Sequence, residues 1–131
     1  MSKIGVLLAD DHEDVLDVIT RLLAPEFHVL GAVTDGKALL SAAQRLEPDV
    51  VIVDISMPIL NGIEAVRRLL ESGSTARVVF LTVHETSDYV RAALATGALG
   101  YVVKARLATD LGVAINEVCA GHSYVSPSIA P

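Results

Sequence analysis

"VLLADDHEDV", residues 6–15, passes from an apolar run into four acids among five consecutive residues. Carboxylates held that close repel and raise one another's pKa, so the cluster is unfavourable unless a positive charge compensates. The apolar part belongs to "IGVLLA" (4–9), and four further runs follow: "HVLGAV" (28–33), "DVVIVDI" (49–55), "RVVFLTV" (77–83) and "GYVVK" (100–104). Most are continuous rather than alternating, the pattern of strands covered on both faces.

Helical spacing fills the gaps. Val15, Leu16, Ile19, Leu22 and Leu23 recur through 13–24 before Pro25, and Ala38, Leu39, Ala42, Ala43 and Leu46 through 36–47 before Pro48. Ile63, Val66, Leu69 and Leu70 mark 62–72; Tyr89, Val90, Ala93 and Leu94 mark 87–96, which ends at Gly97; Leu107, Leu111, Ala114, Ile115 and Val118 mark 106–120, which ends at Gly121. A strand followed by a helix, five times over, predicts an α/β fold: a five-stranded parallel sheet with right-handed crossovers and five helices on both faces. The tail "YVSPSIAP" shows neither periodicity, so residues 1–121 read as the domain and 122–131 as the start of a linker toward a further domain.

Composition agrees with one such domain. The chain has 131 residues, 52% of them hydrophobic, with few aromatics, so Val, Leu, Ile and Ala must build the core. A net charge of −6, with 10 basic residues spread along the chain, argues against nucleic-acid binding by this segment. The lone Cys119 precludes an internal disulfide and fits a reducing cytoplasm; the expectation is a cytoplasmic protein with no membrane span, since no apolar run approaches ~20 residues.

In an open parallel sheet, ligands bind outside the carboxyl ends of the strands. The residues at those ends are Asp10, Asp11, Asp54, Thr82 and Lys104. Three carboxylates on one rim suit a hard divalent cation with oxygen ligands, and Mg²⁺ suits them best, because it takes one or two carboxylates and keeps waters and phosphate oxygens. Zinc would want Cys or His in ligand spacing, which is not found here. With a lysine ammonium and a threonine hydroxyl added, the set describes a socket for a phosphoryl group, and Asp54 is the carboxylate placed to attack phosphorus.

These residues resemble the receiver domain of a bacterial two-component response regulator. The resemblance covers 3–121 and rests on Asp10-Asp11, Asp54 in "VDISMPILNG", Thr82 in "FLTVHE" and "GYVVK" ending in Lys104. It implies a flavodoxin-like receiver fold with strand order 2-1-3-4-5. Asp54 would be the phosphoacceptor, taking phosphate from a sensor histidine kinase in a self-catalysed reaction, so that the domain is a signalling module and not an enzyme. Asp11, Asp54 and the Ser56 backbone carbonyl would bind Mg²⁺ directly and Asp10 through water. Lys104 and Thr82, with the N–H groups of Ser56 and Val83, would contact the phosphoryl oxygens. Thr82 and Tyr101 would form the switch, Tyr101 turning inward as Thr82 moves. No organic cofactor is implied. Homodimerisation on phosphorylation is implied, and the "GHSYVSPSI" wording resembles regulators with a C-terminal helix-turn-helix domain, so DNA binding and control of transcription would belong to a longer protein.

Some features depart from the family. Val83 stands where the family is often small, and it is expected to slow access to Asp54; Ala105 replaces a common proline, so no cis peptide is expected after Lys104. Other functions of this architecture need other residues. A phosphohydrolase using an aspartyl phosphate wants a second acid two residues after the nucleophile, where Ser56 stands. A flavin-binding module wants a phosphate cradle after the first strand, where "ADDHED" repels phosphate. A degenerate receiver that only binds proteins would not need the complete acidic pocket. His12, His28, His84 and His122 show no metal-ligand spacing and read as surface or loop residues, with His84 expected to line the site mouth.

Overall fold

The computed structural model describes residues 3–127 and 129. In chain order the elements are β1 (Gly5–Ala9), α1 (Glu13–Leu23), β2 (His28–Val33), α2 (Gly36–Leu46), β3 (Val50–Val53), α3 (Gly62–Glu71), β4 (Arg77–Thr82), α4 (Ser87–Leu94), β5 (Gly100–Val103), a 3₁₀ turn (Lys104–Arg106), α5 (Leu107–Cys119) and β6 (Tyr124–Val125). The flavodoxin-like α/β sheet is parallel throughout, with order β2-β1-β3-β4-β5-β6.

Alternation along the central strands sorts side chains into two cores. Val6, Leu8, Val50, Ile52, Val79 and Leu81 point to one face, where Leu16, Ile19 and Leu23 of α1 and Leu111, Ile115 and Val118 of α5 cover them. Leu7, Ala9, Val51, Val53, Val78 and Phe80 point to the other, covered by α2, α3 and α4. Both faces are thus buried, which is why β1 and β3 are apolar at every position and β4 is apolar between Arg77 and Thr82. Asp35 and Asn61 cap α2 and α3 with side chains that accept from Ala38 N–H and Glu64 N–H at 2.7 and 2.9 Å.

The expected five strands become six. Residues assigned by sequence to a linker include β6, which pairs in parallel with β5 through Gly100↔Tyr124 and Tyr101↔Val125. Two strand residues have no period to display, and the pairing that orders them is tertiary. The remainder of that stretch, residues 128, 130 and 131, lies outside the described residues. Among the described residues, no helix is long and apolar enough to cross a membrane.

Candidate functional site

Strand register assembles the site. Ala9 pairs with Val53, so Asp10 and Asp54 leave adjacent strands at the same level; Asp54 N–H donates to the Ala9 carbonyl at 2.9 Å and Asp10 N–H to the Val33 carbonyl at 3.0 Å. Thr82 pairs with Val103, setting Lys104 beside Thr82. The five rim residues predicted from sequence therefore share one end of the sheet.

Asp10 and Asp54 are almost fully buried, at 2% and 4% exposure, and Lys104 lies between them. Its Nζ stands 2.8 Å from Asp10 Oδ2 and 3.2 Å from Asp54 Oδ2. Burial works against the Lys104 ammonium, but the Asp10 hydrogen bond and the charges of Asp54 and Asp10 outweigh it and raise its pKa. On the solvent side His12 Nδ1 lies 3.0 Å from both Asp10 Oδ1 and Asp11 Oδ1. The hydrogen bond to Asp10, then the Asp11 charge, raises the His12 pKa. Sequence reading placed His12 only as a surface residue; exposed it is, but its ring also bonds into the acidic cluster at Asp10, which its position inside "DDHED" could have suggested.

Ligand atoms of Asp10, Asp11, His12 and Asp54 all lie within 4.8 Å of one another. The three carboxylates supply the oxygen donors a hard cation takes, and the cluster opens on a cleft of 640 Å³ lined by Asp11, Ser56, Asn61 and Tyr89 among others, with room for waters. The residues present thus fit Mg²⁺. The loop after Asp54 is drawn tightly over this rim: Leu60 N–H donates to the Pro58 carbonyl at 2.7 Å across Ile59, whose φ is 70°, and Gly62 N–H donates to the Ile55 carbonyl at 2.7 Å. That is a strained γ-turn beside the site.

Tyr101, expected to turn inward as Thr82 moves, is already inward while Thr82 still holds His84: it is fully buried, and its hydroxyl donates to the His84 carbonyl at 2.8 Å. Burial, then the neighbouring Tyr89, Asp54 and Glu85, pushes its pKa up to about 12. Buried Thr82 accepts from His84 N–H at 3.3 Å, so Thr82 and Tyr101 grip the same residue. The His84 ring spans the mouth, with Nε2 2.9 Å from Ser56 Oγ and its face stacked on Tyr89 at 3.9 Å. The sequence reading set His84 at the mouth, but not its partner Ser56, which lies 28 residues away. Val83 is 67% exposed at the rim.

Burial pushes the Asp54 carboxyl above its ordinary value; the Lys104 charge pulls it back and the Asp10 charge pushes it up again. Folded Asp54 therefore holds its proton more tightly than the unfolded chain does. Its contribution to stability is full below the unfolded pKa and is lost as pH rises through the folded value. Near neutral pH the ionised carboxylate is a net cost, so Asp54→Asn is expected to raise the unfolding midpoint there by roughly 3–6 °C, equivalent to about 1 kcal/mol. The gain should shrink as pH falls through the folded-state pKa of Asp54, where the wild-type carboxyl takes up its proton; thermal melts at neutral and acid pH check this.

A buried acid pair bridged by lysine, with a threonine on the next strand end, is the arrangement of the response regulator receiver domain, and residues 6–116 match that family. The chain belongs to it. Similar proteins include the response regulator GacA of Pseudomonas viridiflava, 41% identical over 97% of this chain and 60% of its own length, and the transcriptional regulatory protein DegU of Brevibacillus brevis, 35% identical over 98% and 55%. The chain thus spans a little over half the length of these relatives. Among solved structures, a LuxR-family two-component response regulator from Aurantimonas sp. SI85-9A1 superposes with a TM-score of 0.92 at 32% identity, covering 98% of this chain and 93% of that one. The isolated receiver domain of RcsB from Salmonella enterica serovar Typhimurium, determined with the phosphomimetic BeF₃⁻, gives 0.89 at 27% identity, covering 98% and 96%.

Proposed function

We propose that Asp54 accepts a phosphoryl group from the phosphohistidine of a sensor histidine kinase, in a Mg²⁺-dependent reaction, and that the aspartyl phosphate resets a protein-binding surface. The observation that carries this is Lys104 held between two buried carboxylates, 3.2 Å from the one proposed to react. An Asp54 carboxylate oxygen attacks phosphorus, the phosphorus–nitrogen bond breaks, and its electron pair leaves with the imidazole. Lys104 and Thr82 take the phosphoryl oxygens, aided by the N–H groups of Ser56 and Val83. When bound by Asp11, Asp54 and the Ser56 carbonyl, with Asp10 acting through water, Mg²⁺ supplies neutralisation of the phosphoryl charge.

Movement of Thr82 toward the phosphoryl oxygens releases the His84 N–H that it accepts from, and Tyr101 holds the carbonyl of the same residue. The site event is thereby tied to the β4–α4 loop and β5. The domain turns over no external product; it is a cytoplasmic signalling module that dimerises on phosphorylation. Attachment to a DNA-binding output domain and control of transcription are supported by the names of its relatives, among them a transcriptional regulatory protein and RcsB dimers bound to DNA.

Intact mass after treatment with acetyl phosphate tests the reading. Wild type should gain one phosphoryl group with Mg²⁺ and none without it, and Asp54→Asn should gain none; equal gain in the variant contradicts the assignment. Val83→Ala should speed both uptake and loss of the group a few-fold, because the exposed β-branched side chain stands at the mouth. Unchanged rates would remove Val83 from the access path.

A further inference from the structure

The turn that carries Lys104 lacks the usual source of rigidity. Ala105 stands where a proline would fix the backbone, and Lys104–Arg106 forms a single 3₁₀ turn, a geometry with poor hydrogen bonds. Lys104 nevertheless has to deliver a flexible four-carbon side chain to a point between two carboxylates.

A closed set of hydrogen bonds surrounds this turn. On the near side, Val103 N–H donates to Ser126 Oγ at 3.2 Å. The Ser126 hydroxyl donates in turn to Asp110 Oδ2 at 2.9 Å. On the far side, Arg106 donates to the same carboxylate through Nε at 2.8 Å and Nη2 at 3.1 Å. Residues 103 and 106, which bracket Lys104, are thus tied to one another through Ser126 and Asp110. Ser126 is also held by its backbone, its N–H donating to the Tyr101 carbonyl at 2.9 Å as β6 runs along β5.

Both linking residues are buried, Ser126 completely and Asp110 to 2% exposure, although apolar residues would fill the same space without needing partners. A buried polar network is costly unless every member is satisfied, and when satisfied it fixes one geometry. The Arg106 hydrogen bond holds the Asp110 carboxyl below its ordinary pKa, so the pair stays ionised at neutral pH.

We propose that Ser126 and Asp110 are positioning residues for Lys104, making the segment after α5 part of the phosphoryl-transfer machinery. The proposal rests on the reading of Asp54 as phosphoacceptor, and it places the functional boundary of the domain beyond residue 121. The segment after α5 is thereby coupled to the Lys104 turn at both ends, through Ser126 at Val103 and through Ser126, Asp110 and Arg106 at the other.

The test uses the full chain with Ser126→Ala, Asp110→Asn, Lys104→Gln and the Ser126→Ala/Lys104→Gln double variant. With saturating acetyl phosphate and Mg²⁺, Ser126→Ala should slow phosphoryl uptake about tenfold, as small misplacements of a positioned group do. In the Lys104→Gln background the same change should cost nothing further. Equal loss in both backgrounds, or no loss in either, overturns the proposal.

A second measurement needs no phosphodonor: ¹³C relaxation at Cε of the three lysines, Lys3, Lys37 and Lys104. Lys104 should be restrained in wild type and become as mobile as exposed Lys37 in Ser126→Ala; unchanged relaxation overturns the positioning role. Absence of phosphoryl uptake by wild type would instead sink the phosphoacceptor reading and leave the relaxation result to decide the clamp. Should Ser126→Ala not fold, Asp110→Asn takes its place in both measurements, with the same outcomes read the same way.

Discussion

Gly62→Ala is expected to lower the unfolding midpoint by about 10–20 °C, a loss of roughly 3–5 kcal/mol. A Cβ built at Gly62 falls 2.0 Å from the Asp54 carbonyl oxygen, 2.9 Å from its carbon and 3.0 Å from Ile55 Cα. All three are backbone atoms, so no side chain can rotate aside. The first turn of α3 has to retreat from the strand end, which breaks the Gly62 N–H bond to the Ile55 carbonyl and displaces the segment that aims Asp54. Stabilisation by added Mg²⁺ should be lost with it.

Gly73→Ala supplies the comparison. There φ is +93° but nothing lies within 4 Å, so the cost is backbone strain alone, about 1–2 kcal/mol. A Gly62→Ala midpoint near that of wild type, or no worse than that of Gly73→Ala, would mean that α3 is not clamped to the site as described.

The second large effect is at Lys104. Its ammonium is the direct counter-charge to two carboxylates whose side chains are only 3% and 5% exposed. Lys104→Gln leaves these facing one another, and loss of one partner from a buried ionic cluster costs about 3–5 kcal/mol. Part of that is recovered when Asp54, already displaced upward, takes up a proton. The loss should therefore be small in mild acid and grow as pH rises through the folded-state pKa of Asp54, because an upward-shifted carboxyl stabilises only while protonated.

Saturating Mg²⁺ should restore much of the stability at neutral pH by supplying the missing charge, yet it should not restore the rate of phosphoryl uptake, which needs an ammonium on the oxygens. A pH-independent loss that Mg²⁺ leaves untouched would show that Lys104 stabilises the chain by packing instead.

Much of this site was readable before any coordinates, for a physical reason. Central parallel strands are buried on both faces, so a polar residue such as Asp54 directly after an unbroken "VVIV" can only be a strand end, and all strand ends of one sense converge on one rim. What sequence could not show depends on partners distant in the chain. Ser126 reads as a linker serine, and only its contacts with Val103 and Asp110, 23 and 16 residues away, make it structural. His84 became a bridge across the mouth only when Ser56 and Tyr89 closed on it. The inward pose of Tyr101 is likewise a rotamer outcome, which no residue pattern specifies.

The most direct test of the account locates the phosphoryl group itself. After phosphorylation with Mg²⁺, reduction with borohydride converts an aspartyl phosphate to homoserine, and peptide mass spectrometry then assigns the modified position. Homoserine at position 54 alone, dependent on both phosphodonor and Mg²⁺, is the predicted result. Homoserine at Asp10 or Asp11, or a phosphoryl group retained on His12 or His84, would contradict the central claim.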